Sequence, residues 1–213
     1  MSRSAVRQSS SSTARLVKRS AAGFGGAITG GAIIIGEGNL DFASGNTEID
    51  EDISVDGGSG TVTNDGVLRF AALEVINGNF TNDGTAQVSA GKLEIEGAVT
   101  GAGTDTISGP AKLQFDAGVS TAATLGDQDI DLSGKGGTMA LVDPTGFYGK
   151  ISDFGSNDTV KLEGFWAFSA LSHASGVTTL TLAEGATRHA FDFVGDYSRS
   201  EFHIASGAIT TIT

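Results

Sequence analysis

A phrase that recurs after eighteen residues constrains the fold of this chain more than any other feature. Val62-Thr-Asn-Asp-Gly66 returns as Phe80-Thr-Asn-Asp-Gly84. A second phrase, leucine followed two residues later by phenylalanine or isoleucine, begins at Leu68, Leu93 and Leu113, at intervals of 25 and 20 residues. Short apolar runs closed by Gly, Asn and Asp at that spacing predict a chain that coils upon itself as a β-solenoid.

Glycine is abundant, at 32 of 213 residues, whereas proline occurs only twice. This suits a fold with a tight turn every few residues, and the turns 64–66, 77–78 and 82–84 contain residues that tolerate positive φ. Polar and apolar residues alternate in Leu93-Glu-Ile-Glu96, as in a strand with one buried face. The predicted strands are 61–63, 67–70, 73–76, 86–89, 93–96, 104–107 and 113–115. Sequential hairpins would use the same turns, but recurrence at coil length favours stacked coils.

Three segments are predicted within an all-β chain. Residues 1–36 form a basic, largely disordered arm that ends in a hydrophobic entry segment. Residues 37–116 form the solenoid coils, and residues 117–213 continue as a β-roll or β-sandwich-like unit and cap. The fold class is a parallel β-solenoid (β-helix) with a C-terminal β-rich cap and a flexible N-terminal arm. Ile33–Ile35 would pack over the open end of the first coil or, alternatively, join a neighbouring subunit as a donated strand.

Charge is divided unevenly along the chain. The first 36 residues carry five basic and no acidic side chains, whereas residues 37–213 carry eight basic and 25 acidic ones, a net charge of −17. An acidic body argues against nucleic acid as a partner, because phosphate binding needs a basic face. The chain has no cysteine and no apolar run that predicts a membrane-spanning helix. Residues 1–22 resemble a transit peptide in composition, although a disordered tail is the simpler interpretation.

Residues 101–213 contain four phrases that occur together in one group of bacterial proteins. They are Gly101-Ala-Gly-Thr-Asp-Thr-Ile107, Gly136-Gly-Thr-Met-Ala-Leu-Val-Asp-Pro-Thr-Gly-Phe-Tyr-Gly-Lys-Ile-Ser-Asp-Phe154, Asn157-Asp-Thr-Val-Lys-Leu162 and Val194-Gly-Asp-Tyr-Ser198, with Phe202 following. With these residues the chain resembles a β-solenoid module of RTX-like and adhesin-like proteins, notably those of alphaproteobacteria. Lys161 stands where that family has a second aspartate. The resemblance implies a secreted or cell-surface location, with the export route left open.

The resemblance also raises the question of calcium, which RTX repeats bind through tandem Gly-Gly-x-Gly-x-Asp units. Asp105 occupies the acid position of one degenerate copy. Asp153 and Asp158 flank a turn and form a second candidate site. Asp127-Gln-Asp-Ile-Asp131 resembles the start of an EF-hand loop, but Leu132 stands where glycine is needed. Solvated turn acids explain these residues more simply, so no metal ligand and no cofactor is assigned, and Ca²⁺ stays an alternative.

Carboxylate pairs along strands are the candidates for enzymatic chemistry. Glu94 with Glu96, and Asp129 with Asp131, would each lie on one face of a strand, as polysaccharide lyases and hydrolases require of an acid and a base. Many outward positions of an acidic solenoid look the same. The histidines are scattered, at His173, His189 and His203. Because no nucleophile elbow, zinc motif or phosphate loop is present, the chain is predicted not to be an enzyme, and no catalytic residue is assigned.

The sequence favours a structural role over binding or catalysis. The first hypothesis is a structural β-solenoid subunit of a bacterial extracellular assembly, a homo-oligomer or filament that self-associates through its ends or its N-terminal arm. The first alternative is a glycan-binding adhesin or phage-fibre-like module, because Phe165, Trp166 and Phe168 could stack on a sugar, although packing within the cap explains them better. The second alternative is a polysaccharide-degrading β-helix enzyme.

Overall fold

The computed structural model of this chain describes residues 14–16, 26–28, 33–35, 39–42, 44–117 and 128–213. The regular secondary structure of the described residues is nearly all β, with 57% of these residues in strands, three short 3-10 turns and no α-helix. The 3-10 turns are Asp56–Gly58, Pro144–Gly146 and Arg199–Glu201. The prediction of an all-β chain is confirmed. No helix in this part of the chain has the length and hydropathy to cross a membrane.

In chain order the strands are β1 (Ala14–Leu16), β2 (Gly26–Ile28), β3 (Ile33–Ile35), β4 (Leu40–Phe42), β5 (Asn46–Ile49), β6 (Ile53–Val55), β7 (Thr61–Asn64), β8 (Val67–Phe70), β9 (Leu73–Asn77), β10 (Asn79–Asn82), β11 (Thr85–Val88), β12 (Lys92–Ile95), β13 (Val99–Thr100), β14 (Thr104–Ile107), β15 (Lys112–Phe115), β16 (Asp129–Asp131), β17 (Thr138–Leu141), β18 (Lys150–Ser152), β19 (Thr159–Glu163), β20 (Ala167–Ala174), β21 (Val177–Glu184), β22 (Thr187–Val194), β23 (Ile204–Ala205) and β24 (Ile209–Ile212). They form three sheets, here called A, B and C.

Sheets A and B grow by one strand per coil, whereas sheet C does so only from β4 to β13. Sheet A has the order β1-β3-β6-β9-β12-β15-β17-β19-β24-β23, and sheet B has the order β2-β5-β8-β11-β14-β16-β18-β22-β21-β20. Sheet C is shorter, with the order β13-β10-β7-β4. The chain passes from sheet A to sheet C to sheet B, and then returns to sheet A one rung further on. Successive rungs from β3 to β19 pair in parallel, as β12 does with β9 and β15. The predicted parallel solenoid, with about six turns, is confirmed.

Alternating side chains give the coils a continuous apolar interior. Leu93 in β12 is fully buried and lies in register with Leu113 of the next rung. Burying one such side chain contributes roughly 2 kcal/mol to folding. Leu68 does not belong to the same column, because it lies in sheet B beside Ala86. The predicted repeat of Leu68, Leu93 and Leu113 therefore mixes two sheets.

The repeated Thr-Asn-Asp-Gly phrase forms the corner between sheets C and B. Asn64 and Asn82 are buried there, and Asn64 Nδ2 donates to Asn82 Oδ1 at 2.8 Å. Their side-chain oxygens also accept the backbone N–H of Gly66 at 3.0 Å and of Gly84 at 3.3 Å. The expectation of positive φ is wrong at these corners and holds at Gly78, whose φ is 151°. The second phrase ends in glycine because a larger residue would not fit. A Cβ atom at Gly84 would lie 2.1 Å from the carbonyl oxygen of Gly66.

The predicted arm, residues 1–36, lies largely outside the described residues. Its described parts are the strands β1, β2 and β3. β3 pairs in parallel with β6, and its residues Ile33 and Ile35 are buried while Ile34 is exposed. Ile33–Ile35 is therefore a rung of sheet A rather than a lid over the end, because alternation directs two of its isoleucines into the core.

Antiparallel strands close the C-terminal end of the molecule. β20, β21 and β22 form a meander, and β22 pairs in parallel with β18 of sheet B. β24 pairs antiparallel with β19, and β23 pairs antiparallel with β24. These strands are the cap. The change from parallel coils to antiparallel cap falls after Glu163, further along the chain than the boundary drawn at residue 117.

Aromatic rings fill the cap. Phe193 of β22 lies 5.0 Å from Phe154 and 4.9 Å from Phe202, measured between ring centroids. Tyr197 packs beside them, and its hydroxyl donates to the carbonyl oxygen of Phe154 at 3.0 Å. This cluster packs β22 of the meander against the last coil.

Candidate functional site

Asp105, a calcium candidate, lies inside the coils rather than at a solvated turn. It belongs to β14, its side chain is fully buried, and Asn82 Nδ2 donates to its Oδ1 at 3.0 Å. Burial raises the pKa of Asp105 to about 7, although the hydrogen bond from Asn82 acts in the opposite direction. Gln128 belongs to the same buried polar group, because its Oε1 accepts a hydrogen bond from Asn82 Nδ2 at 3.1 Å. The carboxyl group thus belongs to a column of amide side chains.

Asp158 and Asp153, the other calcium candidates, have different surroundings. Asp158 Oδ1 accepts the backbone N–H of Gly136 at 2.9 Å and of Gly137 at 3.0 Å, and its Oδ2 accepts that of Gly155 at 2.8 Å. Its carboxylate therefore holds two loops together. Asp153 has a backbone φ of 55°, in the left-handed region that residues other than glycine rarely adopt. Within the described ranges no three His, Asp or Glu side chains are placed to share a metal ion, and calcium stays an untested alternative.

Of the two predicted carboxylate pairs, one lies on sheet A and the other on sheet B. Glu94 and Glu96 belong to the β12 region of sheet A, whereas Asp129 and Asp131 belong to sheet B. Glu94 instead contacts Asp116 of the next coil, and this hydrogen bond lowers the pKa of Glu94. Burial, followed by the contact with Glu94, raises the pKa of Asp116. Gln114 Nε2 donates to Glu94 Oε1 at 3.1 Å and to Asp116 Oδ1 at 2.5 Å, so these side chains form one polar network on sheet A.

The histidines have separate partners. His189 in β22 is buried, its Nε2 lies 2.6 Å from the carbonyl oxygen of Phe147, and burial lowers its pKa. The backbone N–H of His203 donates to the carbonyl oxygen of Thr213 at 2.8 Å. His173 lies in β20. The structure therefore does not bring the three residues into one group.

Trp166 is part of the cap core. It is 2% exposed, and its indole Nε1 donates to the carbonyl oxygen of Glu163 at 2.8 Å. The ring is therefore not presented for stacking on a sugar, and the interpretation as packing is confirmed. Its neighbour Phe165 points the other way and is 64% exposed. Phe168, the third aromatic residue of the group, is partly exposed on β20.

β20 is the last strand of sheet B. It pairs with β21 on one side, and no strand of the described chain pairs with its other side. Its eight residues, Ala-Phe-Ser-Ala-Leu-Ser-His-Ala, include no acid, lysine, arginine or proline. Six of the eight are exposed. Natural edge strands are usually protected from further pairing by charge, proline, bulges or a cover, and β20 has only a bulge between Phe168 and Ala170.

The two faces of β20 differ in character. Phe168 lies opposite buried Leu182, and Leu171 lies opposite buried Leu180, so both face the cap core. The other face carries alanine and serine, with Ala170 opposite Thr181. The strand therefore offers an open backbone edge, one partly apolar face and one face of small side chains.

Charged side chains lie beside the two ends of β20. At its start the guanidinium carbon of Arg199 lies 4.4 Å from the centre of the Phe168 ring. At its end His173 Nδ1 lies 3.1 Å from a carboxylate oxygen of Asp196, whose side chain is 91% exposed. The strand itself carries no Asp, Glu, Lys or Arg side chain. Beside its start lie Arg199 and the carboxylate of Glu184, whose Oε1 accepts the backbone N–H of Phe165 at 2.6 Å, and beside its end lies the exposed carboxylate of Asp196.

Sequence reasoning did not single out an edge at β20. A usable signal was present. Residues 164–183 contain no lysine, arginine, aspartate or glutamate, although charged residues make up 18% of the chain. That charge-free run covers β20 and almost all of β21.

Comparisons with known proteins do not assign the chain to a family. No family model matches it, and neither the curated proteins nor the solved structures include a match. Function must therefore be inferred from the geometry of the molecule itself.

Proposed function

We propose that this protein is a structural β-solenoid subunit that self-associates through its C-terminal end, as part of a bacterial extracellular assembly. The observation that carries the proposal is the open edge of β20. In sheets A and B each strand from β3 to β19 has a neighbouring strand on both sides, so the backbone groups there are already paired, and the end strands of the short sheet C have two and three residues. At β20 a row of N–H and C=O groups faces outward along a strand without charged side chains.

Charge supports the end of the molecule as the point of contact. Residues 37–213 carry a net charge of −17, and bodies of like charge repel each other at low ionic strength. Contact is therefore expected where the surface carries no charge, which is the case for β20. The bacterial extracellular setting is supported by the sequence resemblance alone.

The alternatives have weaker support. The glycan-binding hypothesis loses Trp166 as a stacking platform, and exposed Phe165 alone does not make a sugar site. The enzyme hypothesis requires an acid and a base at a defined separation, whereas Glu94 belongs to a polar network with Gln114 and Asp116. Self-association is the function that needs only the features present at β20.

Light scattering coupled to size-exclusion chromatography tests the proposal. The full-length chain is measured over at least a hundredfold range of concentration and at two salt concentrations, with electron microscopy of the same fractions. We expect a mass of at least two chains that decreases on dilution. A single-chain mass at every concentration, with isolated particles of monomer size in the micrographs, would overturn the proposal.

A further inference from the structure

We propose that β20 binds β20 of a second copy of this chain in the antiparallel direction and thereby closes a two-fold dimer. The inference rests on the proposed self-association and specifies its surface and symmetry. In such a dimer the two B sheets become one continuous sheet across the interface. Pairing of this kind adds main-chain hydrogen bonds along both strands without remodelling either cap.

Strand length favours this arrangement over end-to-end stacking. β21 is antiparallel to β20 and to β22, so β20 runs in the same direction as the parallel strands of sheet B. A head-to-tail stack would place it beside β2, the strand at the opposite end of sheet B. β2 has three residues, whereas β20 has eight. Among the sheet ends within the described ranges, a second β20 is the one that matches its length, which favours a closed pair over an open filament.

Side chains along β20 are compatible with their own copy. The bulge lies between Phe168 and Ala170, so regular pairing is expected from Ala170 to the end of the strand. Ala170 and Ser172 are small and uncharged, and two such rows can approach closely across a sheet. On the other face Phe168 is 40% exposed and Leu171 is partly buried, so a second strand would cover the remaining apolar surface.

The pair formed by Arg199 and Asp196 favours the antiparallel direction. Arg199 lies over Phe168 at the start of β20, and Asp196 lies beside His173 at its end. A two-fold axis perpendicular to the sheet places the start of one strand next to the end of the other and keeps equivalent faces on one side. Arg199 of each copy then approaches Asp196 of the other, so the interface contains this pair twice. A parallel pairing would place like charges at the same end.

The first test adds a charge to the edge. Regular pairing over residues 170–174 places the two-fold axis at Ser172, so the Ala170→Lys ammonium group would enter the interface twice, each time beside Ala174 of the other copy. The matched control is Ala190→Lys, because Ala170, Thr181 and Ala190 lie in one row across β20, β21 and β22 and Ala190 is also exposed. By sedimentation velocity we expect at least a tenfold rise in the dimer dissociation constant for Ala170→Lys, and less than a twofold change for Ala190→Lys. Circular dichroism verifies that both variants fold.

The second test exchanges the charges at the strand ends. Arg199→Asp and Asp196→Arg are each expected to weaken the homodimer at least threefold. Mixing the two single variants in equal amounts is expected to restore association as a heterodimer, because each interface then contains two opposite-charge pairs. Mass spectrometry under native conditions distinguishes the heterodimer from either homodimer.

The outcomes separate this inference from the proposed function. Absence of any oligomer in the wild-type protein would overturn both. An oligomer that Ala170→Lys leaves unchanged would overturn the β20 interface while self-association stands. Open-ended growth, or failure of the mixed charge variants to pair, would overturn the two-fold arrangement.

Discussion

Asp105 introduces a carboxyl group into the interior of the coils. In sheet B it lies in register between Ala86 of the preceding rung and Ile130 of the following one. Its Oδ1 accepts from Asn82, but Oδ2 has no hydrogen-bond partner among the described atoms. An ionised carboxylate is costly in such surroundings, whereas the neutral acid is tolerated. This residue therefore links the stability of the solenoid to pH.

Stability is expected to fall as the pH rises from about 4 to about 7, through ionisation of Asp105. The unfolded chain loses this proton near the ordinary pKa of 3.8, whereas the folded chain keeps it up to about 7. Above pH 7 this contribution to the free energy of unfolding, about 4 kcal/mol at most, is lost. In Asp105→Asn this contribution disappears, so the variant should be more stable than wild type at pH 8 and similar at pH 4.

Urea unfolding at both pH values measures the effect. Asp65→Asn is the control, because Asp65 is an exposed residue of the corner that follows β7. The control should change stability by less than about 0.5 kcal/mol at either pH. An Asp105→Asn variant whose advantage over wild type is the same at pH 4 and pH 8 would contradict the assignment.

At the scale of the element, the stacking of turns decides where glycine is required. Gly91 and Gly109 both follow strands of sheet B and have nearly the same φ, 65° and 64°. A Cβ atom at Gly91 would lie 1.7 Å from the carbonyl oxygen of Ala72 in the rung below. At Gly109 nothing lies within 4 Å of that position. Comparing substitutions at the two glycines therefore separates the cost of a positive φ from the cost of a clash between neighbouring rungs.

Replacing each glycine with alanine should give different losses of stability. Gly109→Ala should lower the free energy of unfolding by about 1 kcal/mol, because alanine disfavours the left-handed backbone conformation. Gly91→Ala has the same conformational cost and must also displace a neighbouring rung, so we expect a total loss of about 3 kcal/mol or more. The free energy of unfolding in urea measures both. Equal losses would mean that the rungs move apart freely at this corner.

The strands that sequence predicts well are those with strict alternation. Residues 67–70 and 104–107 match β8 and β14 in both bounds. Sheet C was missed in part, because a strand such as β13, with two residues, is too short to show a period. Leu73 and Glu74 invert the expected pattern: the leucine is 70% exposed and the glutamate 1%. The backbone N–H of Ala72 donates to Glu74 Oε1 at 2.8 Å, a tertiary contact that no periodicity contains.

The candidate edge was beyond sequence prediction for a related reason. The aromatic cluster around Trp166 was visible in the sequence, but which of its rings enter the cap depends on contacts between the segment before β20 and β24. Thr210 of β24 illustrates this, because its hydroxyl accepts the backbone N–H of Trp166 at 2.8 Å across 44 residues of chain. The charge-free run indicated the location of the edge, and only the sheet order identifies it as free.

At the scale of the molecule, a solenoid is stabilised by contacts between neighbouring rungs, so its ends decide whether it stays soluble. Sheets A and B receive different endings here. Sheet B ends in the long strand β20, whereas sheet A ends in β24 and the two-residue strand β23. Sheet A is therefore terminated by a short edge, a common protection against further pairing, and sheet B retains an edge suited to a partner.

The ending of sheet A should be essential for keeping the protein soluble, and β24 offers a matched pair of residues to test this. Ile212 is fully buried and lies opposite Val160 of β19, whereas Ile209 is 58% exposed and lies opposite Glu163. Ile212→Asp would bury an unpaired charge, so β24 should detach at a cost of about 3 kcal/mol or more and expose the edge of β19. Ile209→Asp places the same charge in solvent and should leave the cap intact.

We therefore expect Ile212→Asp to lower the thermal midpoint and to form large aggregates that grow with concentration, unlike the limited oligomer expected of wild type. Ile209→Asp should retain the wild-type thermal midpoint and oligomeric mass. Differential scanning calorimetry and light scattering measure the two properties separately. If Ile212→Asp remained as soluble as wild type, the edge of β19 would need no cover, and the same reasoning would no longer single out the open edge of β20 as the surface through which copies meet.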